Sequence, residues 1–334
     1  MFIAIRNKFK NNPSIYYSIS IAATWAGAAS LLVGIQTAQT EGIIPFLLWA
    51  LGNTLACVVF GIFAPMVPKL REVFRSKPMQ IILGLMCPFH VWISMNAIQQ
   101  VFGDTWLGAS YGTLLAYVIA VIYVVILFRR GMIRNVLTDN ASWIAVYAVA
   151  TILTVAAIIQ TGGNMVPLEM GAGAAMSGLR KCLLLIPGPF LYPYFFEILD
   201  YNDKNEDGTQ KINIRKAFVF GGLLFGAYLI FTFLLSWTRF SPALNVIKAI
   251  LITLVAVSTL SSMQFGMYLT FGRKVGLGMN IASIAAWQFL IPLGVMGVWS
   301  LMATVRIYIV VASIAVALIW HFVEKRKKGV ASCR

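Results

Sequence analysis

Long apolar runs alternate with short polar connections along the whole chain. Each run is roughly 20 residues long, about the length that a helix needs to cross the hydrocarbon core of a bilayer. The pattern predicts an all-α integral membrane protein with ten transmembrane helices, numbered here as segments 1 to 10. They cover residues 15–38, 43–67, 79–102, 108–128, 142–160, 174–199, 217–238, 242–271, 278–298 and 301–323.

Composition supports the membrane class. The 334 residues are 60% hydrophobic and 11% charged, whereas a soluble domain of this length needs more charge to cover its surface. The net charge of +15 would suggest nucleic-acid binding in a soluble protein. Here the basic residues lie in the connections, where they orient the chain and contact anionic lipid. We therefore expect membrane lipids as partners and no nucleic acid.

The basic residues also predict the orientation. Most of them fall in the connections on the side of the N-terminus, while the opposite connections carry Glu41, Asp104 and Glu169 and almost no lysine or arginine. Cytoplasmic connections are enriched in Lys and Arg. The sequence therefore predicts a multi-pass protein of the plasma membrane (the inner membrane, in a bacterium). Both termini are expected in the cytoplasm, with 325–334 as a basic cytoplasmic tail.

Segments 1 and 6 contain helix-breaking sequences. Segment 6 carries Pro187 and Pro189, which lack backbone donors, and segment 1 has a run of small residues. Segments five apart run in opposite directions, and matched breaks in two halves indicate a transporter site near the middle of the membrane. The alternative is a proline kink plus a small-residue packing face. The predicted halves are 1–160 and 161–324, and the predicted solute contacts at the breaks are Ala26, Gly27, Ala28, Gly188, Phe190 and Tyr192.

Segment 8 carries a group of hydroxyl side chains. Ser258 and Ser262 share a helix face, and Thr259 is adjacent to it. Hydroxyls, together with carbonyls freed by an unwound helix, can supply the oxygen ligands of a sodium ion without a buried charge. The alternative is that these hydroxyls bond to the carbonyl one turn earlier and let helices pack closely.

These motifs resemble a known family. Ile21-Ala22-Ala23-Thr24-Trp25-Ala26-Gly27-Ala28 and Val257-Ser258-Thr259-Leu260-Ser261-Ser262-Met263 look like the first and eighth core helices of the sodium:solute symporters. That family has the leucine-transporter (LeuT) fold of the amino acid–polyamine–organocation superfamily, a five-plus-five inverted repeat. The resemblance implies a coupling sodium held by the carbonyls of Ala22, Trp25 and Val255 and the hydroxyls of Ser258 and Thr259. It also implies that segment 3 faces the cavity, which makes Ser94 and Asn96 candidate substrate contacts.

The choice of coupling ion can also be argued from charge. Proton-coupled transporters need a titratable group inside the membrane. Segments 1 to 5, as bounded above, carry no Asp, Glu, Lys or Arg deep in the span, which leaves His90 as the candidate in the first half. Sodium is therefore favoured over protons.

Four basic residues lie in the outer halves of segments 6, 8 and 10, namely Arg180, Lys181, Lys248 and Arg306. They either reach the outer headgroups or form an electropositive vestibule that attracts a carboxylate-bearing solute. Together with Phe265, Arg180 and Lys181 are the predicted gating and vestibule residues.

The predicted function is sodium-coupled symport of a small organic solute that bears a carboxylate, by alternating access. No catalytic motif is present in the sequence, so we do not expect an enzyme. Two alternatives stay open: a proton-coupled amino-acid-type permease, and a non-transporting scaffold or sensor that keeps the fold. The sequence leaves the oligomeric state undetermined.

Overall fold

The protein is a bundle of membrane-length helices in the computed structural model, which describes residues 13–66, 68–128, 132–162, 165–200 and 212–332. Within these ranges there are helices and no strands. Seven helices are long and apolar enough to cross a membrane, and a bent pair at the start raises the number to eight. Large apolar side chains such as Leu114, Val125 and Ile159 face outward, as lipid contact requires. The predicted all-α membrane class is confirmed.

The helices have the following order. They are α1 (Pro13–Ala26), α2 (Ala29–Thr40), α3 (Ile43–Met66), α4 (Pro68–Arg75), α5 (Lys77–Gly103), α6 (Gly108–Phe128), α7 (Met132–Thr161), α8 (Ala175–Leu185), α9 (Pro193–Asp200), α10 (Ile214–Ser236), α11 and α12 within Pro242–Ala286, and α13 (Gly294–Ser332). Short 3-10 turns occupy Ala172–Ala174, Gly188–Leu191, Trp287–Phe289 and Ile291–Leu293.

Segment 1 is broken between α1 and α2. The chain bends by 59° there, and Gly27 has a φ of 54°, a left-handed conformation that glycine adopts without steric cost. The Ser30 backbone N–H and its hydroxyl both donate to the Gly27 carbonyl, at 3.0 and 2.8 Å. These bonds start the new helix beyond the glycine, so the predicted interruption is present.

Segment 6 is broken between α8 and α9. Helix α8 ends at Leu185, just before Pro187 and Pro189, neither of which has an N–H to continue the helical ladder. The 3-10 turn Gly188–Leu191 follows, and α9 starts at Pro193, a residue well suited to the first helical position. The prolines thus interrupt the span where the sequence predicts.

The helical stretch Pro242–Ala286 contains a reversal of the chain at Gly272. This residue has φ 74° and ψ 171°, outside the helical region. The Asn280 side-chain amide donates to the Gln264 carbonyl at 3.2 Å, although 16 residues of straight helix would separate them by about 24 Å. The stretch is therefore two antiparallel helices, α11 (242–271) and α12 (273–286).

The predicted segment 9 (278–298) is wrong as one continuous helix. Helix α12 ends at Ala286, and two 3-10 turns separate it from α13. Pro292 lacks a backbone donor, and Gly294 has a φ of 61°, so neither continues an α-helix from the preceding turn. The last helix begins at Gly294 instead of residue 301.

Segment 5 also begins earlier than predicted. Helix α7 starts at Met132, and its membrane-capable part is Asn135–Thr161 rather than 142–160. Two additional turns of helix therefore lie inside the bundle, with Asp139 fully buried. The inference that segments 1 to 5 hold no buried acidic residue is wrong.

Several predictions about topology stay predictions. Some of the basic residues that predict the orientation lie outside the described residues, in 1–12, 129–131 and 201–211, and the orientation itself is untested. The ten-helix count, the repeat halves 1–160 and 161–324, and the tail 325–334 are likewise untested, although α13 runs on to Ser332.

Candidate functional site

The two helix breaks meet inside the bundle. Trp25, in the last turn of α1, lies against Tyr192 between α8 and α9, with ring centroids 5.4 Å apart. A Cβ atom on Gly188 would lie 2.4 Å from Cη2 of Trp25, far inside van der Waals contact. Only glycine therefore lets the second break approach the first this closely.

A small cavity lies at this junction, with a mainly apolar lining that also contains polar side chains. Its volume is about 50 Å³, and its lining includes Trp25, Ala26, Gly27, His90, Tyr192 and Arg306. One water molecule needs roughly 10–15 Å³ of such space. In this conformation the cavity therefore holds only a few water-sized molecules, and a larger ligand requires it to widen.

Arg306, His90 and Tyr192 form a hydrogen-bonded chain in the cavity wall. The Arg306 guanidinium is 3.3 Å from Nε2 of His90, and Nδ1 of His90 is 3.1 Å from the Tyr192 hydroxyl. Arginine has no acceptor, so His90 accepts through Nε2, which places the hydrogen of the neutral ring on Nδ1. That nitrogen donates to the Tyr192 oxygen, leaving the Tyr192 O–H as a donor for a further partner.

Arg306 is a buried cation without a counter-ion among the described residues. Its exposed fraction is 4%, and its guanidinium carbon lies 5.9 Å from the Trp25 ring centroid. No described carboxylate pairs with it, although burying an unpaired charge costs roughly several kcal/mol. A bound anion would offset this cost.

The other basic residues predicted for a vestibule have different surroundings. Lys181 pairs with Glu41, and Lys248 pairs with Asp104 at 3.0 Å, so both charges are neutralised locally. Arg180 is exposed on α8. Of the four, Arg306 is the one that lines the cavity. The sequence predicted for it either a contact with the outer headgroups or a place in a vestibule.

The two side chains of segment 3 predicted to contact substrate, Ser94 and Asn96, lie outside the cavity lining. The Asn96 amide donates to the carbonyls of Leu290 and Gly294 at 3.3 and 3.1 Å, and its oxygen accepts from the Trp287 indole at 2.8 Å. These bonds hold the irregular connection between α12 and α13 against α5. Ser94 is fully buried, and its hydroxyl has no hydrogen-bond partner.

The predicted aromatic contacts are divided between cavity and packing. Phe190 contacts Phe60 at a centroid distance of 4.9 Å, and Phe265 contacts Tyr194 at 6.3 Å, both inside the apolar core. Ala28 is buried beside the cavity without lining it. Of the predicted residues at the breaks, Ala26, Gly27 and Tyr192 line the cavity.

The hydroxyls predicted to bind sodium are buried and lack partners. Neither the Ser258 nor the Thr259 hydroxyl has a hydrogen-bond partner, whereas Thr253 on the same helix donates to the Ala249 carbonyl at 2.7 Å. Buried polar atoms are normally paired. The alternative of local bonding to the preceding turn therefore does not describe the Ser258 and Thr259 hydroxyls.

Helices α1 and α11 contact each other near these hydroxyls. Oγ1 of Thr24 and Oγ of Ser262 are 2.8 Å apart, with Ser262 one turn beyond Ser258. The carbonyl of Trp25 belongs to the last turn of α1, where helical carbonyls lose their usual partners. The candidate ligands from α1 and α11 therefore belong to one interface.

A second polar cluster, which sequence reasoning missed, surrounds Asp139 of α7. Its Oδ2 lies 2.5 Å from the Ser20 hydroxyl, which is 2.8 Å from the Tyr194 hydroxyl. Asn135, one turn before Asp139, donates weakly to the same Oδ2 at 3.4 Å and to Ser262 at 3.2 Å. Asn135 and Asp139 are four residues apart and therefore share a helix face. The sequence would have revealed this polar face if segment 5 had been predicted to begin before residue 135.

These features define a multi-pass α-helical membrane protein with a small cavity where two broken helices meet. The described residues contain no group of three or more His, Cys, Asp or Glu side chains that could hold a metal ion. No family model and no curated protein matches the chain. A crystal structure of the Eremococcus coleocola manganese transporter, bound to an aromatic bis-isothiourea substituted compound, is similar at 13% identity and a TM-score of 0.38, covering 92% of this chain and 72% of that one. This similarity is too low to assign a fold or a substrate.

Proposed function

We propose that the protein is a secondary active transporter for a small solute that bears a carboxylate. The observation that carries the proposal is the unpaired Arg306 in a buried cavity between two interrupted helices. A transporter fold built on such breaks exposes its central site alternately to the two sides of the membrane.

The cavity chemistry favours an anion. Arg306 presents a planar set of donors that matches a carboxylate, and the Tyr192 O–H adds a neutral donor. A metal cation as cargo is disfavoured because Arg306 would repel it. The cavity has a volume of about 50 Å³ in this conformation. The proposed solute is therefore small, even though the cavity must widen to admit it.

The same proposal includes the ten-helix topology and the five-plus-five inverted repeat of the LeuT type. The eight membrane-capable spans count the stretch around Gly272 as one, although the chain reverses there. The broken pair α8 and α9 supplies a further span. The eight spans, one more for the reversal at Gly272 and one more for the α8–α9 pair support ten crossings. An even number of crossings leaves both termini on the same side.

Sodium is the proposed coupling ion, with Ala22, Trp25, Val255, Ser258 and Thr259 as ligands. Its support is the pair of unpartnered hydroxyls on α11 beside the end of α1. The sequence favoured sodium over protons because no carboxylate was expected deep in segments 1 to 5. Asp139 is buried in α7, so this reason for preferring sodium does not hold. A proton-coupled permease is therefore the second candidate, favoured by Asp139.

Ligand-induced stabilisation tests the solute class. A ligand that binds only the folded state raises the apparent stability, by about 2.7 kcal/mol at 100 times its Kd. In a thermal-shift screen of small organic acids, each beside its neutral amide (lactate and lactamide, for example), we expect acids to stabilise the protein and amides not to. Arg306→Gln should abolish the shift, and Arg180→Gln, which changes an exposed arginine, should keep it. Equal stabilisation by acids and amides would contradict the carboxylate assignment.

Sodium binding has its own test. Sodium, compared with potassium at equal ionic strength, should stabilise the wild-type protein, and Ser258→Ala combined with Thr259→Val should remove that difference. Thr253→Val is the matched control, because the Thr253 hydroxyl already bonds to its own helix. If the double variant responds to sodium as the wild type does, the ion does not bind at these hydroxyls.

A further inference from the structure

We infer that Asp139 is a proton-binding site that holds α1 against α7, α9 and α11, and that loss of this proton releases α1. The inference deepens the proposed function, on which its role in alternating access rests. The site is separate from the solute cavity, since none of its residues lines that cavity.

The Asp139 cluster joins four helices through side chains alone. Ser20 of α1 lies between Asp139 of α7 and Tyr194 of α9, at 2.5 and 2.8 Å. Asn135 of α7 donates to Ser262 of α11 at 3.2 Å. All of these side chains are essentially excluded from solvent. A change at Asp139 therefore acts through this cluster on α1, α9 and α11.

An ionised Asp139 fits these surroundings poorly. Its Oδ1 is buried with no hydrogen-bond partner, and no described cation pairs with either oxygen. A buried carboxylate without a cation or a full set of donors is strongly destabilised, and such groups take up a proton instead. The free Oδ1 is much less costly as the carbonyl oxygen of a neutral acid.

A protonated Asp139 satisfies the short contact to Ser20. The acid O–H on Oδ2 donates to Oγ of Ser20, and the Ser20 O–H donates in turn to the Tyr194 oxygen. A short O–H···O distance of 2.5 Å suits a strong hydrogen bond of this kind. When the proton leaves Asp139, it passes to water admitted as α1 moves away, and the carboxylate remains hydrated there.

Few other ionisable groups face Asp139. Tyr194 of α9 and Tyr123 of α6 interact with Asp139 electrostatically. Tyr17 of α1 lies near Tyr194. From α1, the neutral hydroxyl of Ser20 contacts Asp139, and the hydroxyl of Ser262 on α11 accepts from Asn135. A carboxylic acid is ordinarily far more acidic than a tyrosine hydroxyl, so Asp139 is the group of this set that loses its proton first as the pH rises.

A cysteine reporter on α1 measures the release directly. Ser18 is buried on α1 and close in size to cysteine. Ser18→Cys is introduced after replacement of the four native cysteines, and its maleimide labelling is measured in nanodiscs over a range of pH. Rates are divided by those of Gly173→Cys, an open position, because the thiol itself reacts faster at high pH.

With Asp139 intact, the corrected labelling rate should rise with pH by up to about tenfold per pH unit, the limit for release of one proton. Asp139→Asn, which stays neutral, should label slowly at every pH. Asp139→Glu should restore the rise of the labelling rate with pH. That result would show that the rate depends on a carboxylic acid at position 139 and not on a change in the fold. Thr24→Val, which removes the 2.8 Å bond to Ser262 but no titratable group, should raise labelling at all pH values and keep the pH dependence.

Three outcomes would overturn the inference. One is labelling that does not change with pH in the Asp139 protein. Another is pH dependence that persists in Asp139→Asn. The third is protection of the reporter at high pH by sodium but not potassium, which would make Asp139 a sodium ligand. No solute is present in this assay, and Arg306→Gln should not alter it, so failure of the solute assignment is distinguishable from failure of the proton site.

Discussion

At the scale of single residues, Arg306 decides what the cavity can bind. Among the described residues the guanidinium has neutral partners, namely His90, Tyr192, the Met302 sulfur and the Trp25 ring, and no described carboxylate compensates its charge inside the low-dielectric bundle. The sequence indicated that Arg306 lies in an apolar segment, but not which face of the helix it occupies. Burial next to His90 and Tyr192 depends on contacts between α13, α5 and the α8–α9 break, which no local pattern encodes.

Gly188 provides a second residue-scale test of the cavity. Gly188→Ala would place a methyl group 2.4 Å from Trp25 and 2.8 Å from the Arg306 guanidinium, so these side chains must move. We expect a loss of stability of about 1–3 kcal/mol and loss of the thermal shift caused by organic acids.

Gly278→Ala is the control for that change. Gly278 lies in α12 with open space around it, so alanine there should be neutral or stabilise the helix by up to about 1 kcal/mol. Unchanged acid binding in Gly188→Ala would mean that the ligand does not occupy the junction of the two breaks.

At the scale of helices, local backbone chemistry explains what the sequence predicted well. Pro187 and Pro189 cannot donate, and Gly27 adopts a left-handed conformation, so both interruptions were predictable from residue type. The start of α7 was not, because Asn135 and Asp139 lower the hydropathy of its first turns. Their polarity is buried only because Ser20 and Ser262 from other helices meet it.

At the scale of the whole molecule, two polar sites lie on either side of the broken helices. The solute cavity is lined by residues of α1, α2, α3, α5, α8 and α13, and the Asp139 cluster involves α1, α7, α9 and α11, so α1 contributes to both sites. Helices α1 and α2 meet at the 59° bend, where Gly27 has a left-handed backbone conformation. Under the proposed function, a cation that binds at α1 would therefore also act on the wall of the cavity.

Uptake into proteoliposomes tests the central claim most directly. A radiolabelled organic acid selected by its thermal shift is offered to reconstituted wild type, Arg306→Gln and Arg180→Gln under inward gradients of sodium or protons. We predict accumulation above equilibrium by wild type and Arg180→Gln, and none by Arg306→Gln. Absence of accumulation by wild type under both gradients, or equal uptake by Arg306→Gln, would contradict a transporter whose cargo binds Arg306.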